Sequence, residues 1–88
     1  MGLMFKKCLS SGEALLIDPC NSIHSCFMNF SIDVLFINKK NEIVHIIKNM
    51  KPWRFSSIHF NSKKVLELSA GTIDDNVCVG DQLEFVDV

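Results

Sequence analysis

The sequence predicts a mainly β fold of antiparallel strands. Three observations predict it: the β-branched and aromatic runs IDVLFI and EIVHII, the polar four-residue loop NKKN that joins them, and the Gly, Pro and Asn punctuation between the remaining apolar runs. Taken in order, Leu3 to Lys7 is expected to make a short helical turn, ended by Ser10-Ser11-Gly12. The apolar run ALLID (14–18) stops at Pro19-Cys20-Asn21, and a strand is expected from Ile23 to Phe30. The hairpin of IDVLFI and EIVHII follows. Along Ile32 to Ile37 successive side chains alternate faces, so Ile32, Val34 and Phe36 share one side and Asp33, Leu35 and Ile37 the other. Both sides are apolar from Val34 onward, which suits a central strand covered on both faces, in a small sandwich or barrel.

From Asn49 to Lys63 the pattern dissolves into NMKPWRFSSIHFNSK, where Pro52 lacks a backbone donor and argues against a central strand. Functional residues concentrate on such connections. KVLEL (64–68) resumes as a strand. Thr72 with Asp75 three residues on resembles a capping box for one helical turn, with Asp where Glu or Gln is usual. Gly80-Asp81 turns the chain into QLEFV, with Leu83 and Phe85 on one side and Glu84 on the other. No internal repeat or low-complexity segment interrupts this order.

At 88 residues the chain is one domain (1–88) with one modest core. A composition 48% hydrophobic and 22% charged is that of a globular protein. The net charge is −1, and the nine Lys and Arg are scattered, leaving no dense stripe to neutralise phosphates. Duplex nucleic acid is therefore not expected as a partner. The acidic residues Asp74, Asp75, Asp81, Glu84 and Asp87 read as solvated positions. The apolar runs ALLI and VLFI are far shorter than a membrane-spanning helix, and no signal peptide is apparent, so the expected location is the cytoplasm. Met1-Gly2 has Lys6 where a myristoylation start has Ser or Thr. The four cysteines, Cys8, Cys20, Cys26 and Cys78, form no CxxC pair and read as reduced thiols.

The stretch PCNSIHSCFMNFSIDVLFIN carries the first candidate site. If Ser22 to Met28 is a strand, Ser22, His24, Cys26 and Met28 lie on one face. Cys20, His24, Cys26 and Met28 are candidate soft-metal ligands, because imidazole, thiol and thioether suit copper, although the simpler expectation makes Cys26 and Met28 ordinary core residues. No complete metal set follows from the spacing. His24 with Cys20 or Cys26 does not make a nucleophilic site without an orienting third group. Asp33 and Glu67 each interrupt an apolar strand, and two carboxylates in a dry cleft are able to divide acid and base work. The simpler expectation ties Asp33 to backbone amides or to Arg54, and puts Glu67 on a solvent-facing edge. In the segment KPWR, Trp53 beside Lys51 and Arg54 suits either stacking on a ligand or capping the core.

Six pieces in order, GLMFKK, PCNSIHSCFM, SIDVLFI, IVHIIKNMKPWR, KVLELSAGTI and VGDQLEF, resemble the bacterial and archaeal domain-of-unknown-function family 192 over nearly the whole chain. The matching positions are Gly2, Leu3, Met4, Cys20, His24, Met28, Asp33, Pro52, Trp53, Glu67, Gly71, Gly80 and Asp81. Ser31 departs from the family pattern, where a proline is common, and the arginine that many members carry before GLMF has no counterpart. The resemblance implies a compact antiparallel β-sandwich or barrel of jelly-roll type with one or two short helical turns. It implies no established reaction, and no cofactor is expected.

With no phosphate loop, nucleophile elbow or zinc signature, the sequence favours a non-enzymatic binding module. Its candidate patch is His24, Asp33, Trp53, Arg54 and Glu67, and its expected partner is a protein or a small-molecule ligand, bound by a monomer or small homo-oligomer. The alternative is a small enzyme or metalloprotein in which His24 and Asp33 meet Cys20 or Glu67. A third reading is a structural accessory domain of a larger assembly.

Overall fold

The computed structural model describes residues 3–4, 14–25, 30–73, 75–84 and 86–87. Six strands follow in order: β1 (Leu3–Met4), β2 (Ala14–Ile17), β3 (Ile32–Ile37), β4 (Ile43–Met50), β5 (Lys64–Ser69) and β6 (Val86–Asp87). All pairings are antiparallel. Strands β2, β5, β3 and β4 form one four-stranded sheet in that spatial order, and β1 pairs with β6 in a second, two-stranded sheet.

Strand β3 is the spine because its sequence is apolar on both faces, and a strand with two apolar faces must be covered twice. All six of its residues are buried. On one face Leu35 and Ile37 join Ile43, Leu66 and Leu68, and the segment 73–83 covers them with Ile73, Val77 and Leu83. On the other face Ile32, Val34 and Phe36 join Met50 and Val65, and Ile23 covers them.

The hairpin β3–β4 turns through 38–41. Asn38 organises this loop: its Oδ1 accepts from the amides of Lys40 and Glu42, each at 2.9 Å, while its Nδ2 donates to the Glu42 carboxylate. Asn41 sits at φ 64°, a left-handed conformation that asparagine tolerates better than most residues. The register slips where Ile32 opposes Met50 but Val34 opposes Ile47, placing one extra residue in β4. Asn49, at φ 56°, lies in that bulge and directs its N–H to Asp33 Oδ1 at 2.8 Å.

Two expectations are corrected. The structure holds no helical turn among its described residues: Leu3–Met4 is strand, and the Thr72 segment is a turn. The capping geometry fails there because the Thr72 hydroxyl donates backwards to the Ser69 carbonyl at 2.6 Å, while Asp33 takes the Gly71 and Ile73 amides. The second correction concerns Glu67, expected on an edge. Strand β5 lies between β2 and β3, so Glu67 is interior and 7% exposed. Among the described residues no helix is long and apolar enough to cross a membrane.

Candidate functional site

Residues 21–25 and 53–59 run antiparallel across the Val34–Phe36 face. Four backbone bonds join them: Trp53 N–H to Ser25 O, Ser25 N–H to Arg54 O, Ser56 N–H to Ile23 O and His59 N–H to Asn21 O, all between 2.8 and 3.1 Å. Pro52 bars the segment from a sheet interior, yet the residues after it still find partners in this short ladder. Ser25 is the fastening point. It is fully buried, its hydroxyl donates to Lys51 O at 2.6 Å and accepts from Arg54 N–H at 2.9 Å. The loop that carries KPWR is therefore held by hydrogen bonds at its base.

Its outer side is apolar. Trp53 is 57% exposed, Phe55 77%, Ile58 55% and Phe60 89%. Trp53 thus does not cap the core, and Arg54 is exposed beside it, its Nη1 3.5 Å from Trp53 O. His24 is exposed and pairs with Phe55 in an isolated bridge, their rings tilted with centroids 6.1 Å apart.

Glu67 shares the inner face with Val34, its cross-strand partner on β3, and with Leu15, its partner on β2. Burial pushes its carboxyl above the ordinary value of 4.5, and the nearby His24 opposes that rise. Its carboxylate makes no hydrogen bond or ion pair with another described residue.

Asp33 has the opposite fate. It alternates onto the Leu35 face, where Oδ1 accepts from Asn49 N–H and Oδ2 accepts from Gly71 and Ile73 N–H at 3.0 and 3.1 Å. The amide tether expected from the sequence is formed, and Arg54 takes no part in it. Asp33 and Glu67 lie on opposite faces of the sheet and share no cleft.

Of these residues, His24 acts electrostatically on Glu67, while Trp53 and Arg54 are joined through backbone hydrogen bonds to Ser25, the residue after His24. Cys20 stands apart, its thiol donating to Ser22 O at 2.9 Å and its body packed against the core containing Ile23. Cys26 and Met28, proposed with Cys20 and His24 as soft-metal ligands, lie outside the described residues. Among the described residues no three His, Cys, Asp or Glu side chains are grouped as metal ligands. Two open hollows are lined by described residues, the first touching the end of the same loop at Phe60. One of about 380 Å³ is lined by Lys39, Lys40, Phe60 and Lys63, and one of about 430 Å³ by Pro19, Cys20 and Ser62.

A histidine pair escaped the sequence reading. His45 of β4 and His59 of the loop stack with centroids 4.2 Å apart and planes 24° apart, and His59 also lies 4.4 Å from the Phe36 ring. Burial, then the neighbouring His45, hold the His59 imidazole below its ordinary value of 6.5. The hairpin was legible, but not the register shift between Phe36 and Ile37 that puts His45 opposite Phe36, and the return of His59 over the same face depends on a long-range contact that no local pattern encodes. The exposed Phe55, Ile58 and Phe60 did leave a signal: large apolar residues in a segment with no strand pattern to bury them.

Comparison with known proteins adds a family. Residues 1–85 match the model DUF192, described as "Uncharacterized ACR". A UPF0127 protein of Pyrococcus furiosus is 40% identical over 91 aligned positions, covering 97% of this chain and 76% of the relative. A UPF0127 protein of Thermococcus sibiricus is 38% identical over 65 residues, covering 73% of this chain and 42% of that relative, so the match spans less than half of the Thermococcus protein's length. No solved structure matches the chain significantly.

Proposed function

We propose that this chain, which belongs to the DUF192 family, is a small binding module whose contact surface is the His24 bridge and the loop from Trp53 to Phe60. One observation carries the reading: large apolar side chains stand exposed on a loop whose base is fixed by the buried Ser25 hydroxyl and the ladder to 21–25. Exposing such groups costs free energy in water, and aromatic residues with Arg are what binding interfaces concentrate. A fixed base lowers the ordering cost of association. The partner is a protein or a small molecule; the module works as a monomer or small homo-oligomer in the cytoplasm, where the free thiols of Cys20 and Cys78 suit a reducing setting.

A fragment screen followed by amide chemical-shift mapping tests this reading. Hits are expected to perturb residues 24 and 53–60, and Trp53→Ala or His24→Ala to weaken them about tenfold or more, as removal of an interface anchor does. Hits that map elsewhere and ignore both substitutions would contradict it.

A further inference from the structure

We infer that the contact surface recognises a basic side chain, lysine or arginine, of a partner protein, with Glu67 as the receiving carboxylate. The inference rests on the binding-module reading above and names the chemistry of its ligand.

Glu67 is more than nine-tenths buried, on an interior strand, and no described residue donates a hydrogen bond to it. Among the described residues Asn41 Oδ1 is the one fully buried polar side-chain atom without a partner, so the Glu67 carboxylate end meets solvent while the rest of the residue is packed, and it is open to an incoming donor. Asp33, on the neighbouring strand β3 opposite Leu68 and on the other face of the sheet, shows how this fold satisfies a structural carboxylate: three backbone amides meet it. Nothing comparable is built around Glu67. Its cross-strand neighbours Leu15 and Val34 offer no polar side chain, and His24, on the covering segment, is the titratable group that acts on it.

The surroundings match a long apolar stem with a cationic tip. Leu15 on one side is 57% exposed, and Phe55, leaning on His24, is 77% exposed. Lysine and arginine lay their methylenes along apolar surface while the charged end seeks a partner, and a ring edge or face beside that end adds cation–π attraction. One group then brings both a donor and a positive charge to that carboxylate.

The test titrates the ¹⁵N-labelled protein with N-acetyl-lysine methylamide, N-acetyl-arginine methylamide and the neutral N-acetyl-norleucine methylamide. The two cationic probes are expected to shift the amides of His24, Phe55 and Glu67 saturably, and to bind about tenfold more tightly than norleucine, as a charge-assisted hydrogen bond implies. Glu67→Gln is expected to erase that preference. Should the variant fold poorly, the wild-type protein titrated on the acid side of the Glu67 transition provides the same control, because the neutral carboxyl loses its preference for cations. Equal binding of all three probes at residues 24 and 53–60 overturns the cation inference and leaves the contact surface standing. Shifts confined to other residues overturn both, and the absence of any saturable shift overturns the cation inference.

Discussion

At Asp33 three backbone amides, from the β4 bulge and from the turn after β5, converge on one carboxylate. Asp33→Ala leaves those donors without their acceptor, and each unsatisfied buried group costs about 1–3 kcal/mol. We expect a loss of at least about 3 kcal/mol in urea denaturation, with Asp33→Asn intermediate because its amide nitrogen faces a donor. Glu67 behaves differently. Its folded-state pKa is raised, so its contribution favours folding below pH 4.5 and is lost as pH rises through the folded value. Glu67→Gln is expected to match the wild type near pH 4 and to exceed it at pH 8, because the neutral amide avoids the desolvation of the charged carboxylate. Melting temperatures of both proteins across that range check the sign. That Asp33 and Glu67 are special was legible from their interruption of apolar runs. Which was satisfied depended on a bulge and a turn distant in sequence.

At the scale of elements, the hairpin and β5 were readable because alternation and β-branched runs are local signals. The loop 51–60 was readable only as irregular, since Ser25, which fastens it, lies 26 residues from Lys51. Ser25→Ala is expected to cost about 1–3 kcal/mol and to speed hydrogen exchange at the Arg54 amide, which loses its acceptor. His59, stacked on His45, gives the same loop a sensitivity to acid. The His59 pKa is lowered in the folded state, so its contribution is present above pH 6.5 and is lost as pH falls through the folded value. His59→Phe keeps a ring against Phe36 and is expected to flatten the stability loss below pH 6.5, as read by thermal melts. Gly80, at φ 97°, has no atom within 4 Å of an added Cβ, so Gly80→Ala tests conformation alone. A loss of about 1 kcal/mol is expected in the same assay.

For the whole molecule, two-sided burial of β3 explains why residues 73–83 cover one face while 20–25 and 53–60 cover the other. The apolar pattern of IDVLFI announced two covers; it said nothing of which segments supply them, because irregular chain carries no period. The helical turn expected at Thr72 failed for a related reason, since Asp33 claims amides of that segment from across the sheet. The covering ladder, which pairs His24 with Phe55, lies on the same sheet face as Glu67, a carboxyl to which no described residue donates a hydrogen bond. The most direct test is to follow the Glu67 side-chain carboxyl carbon by NMR through a pH titration of the free protein. A midpoint above 4.5 is the expected result, as a desolvated carboxyl requires. A midpoint at or below 4.5 would mean that Glu67 is fully solvated or already paired, and would contradict a partly desolvated, unpaired carboxylate beneath the contact surface.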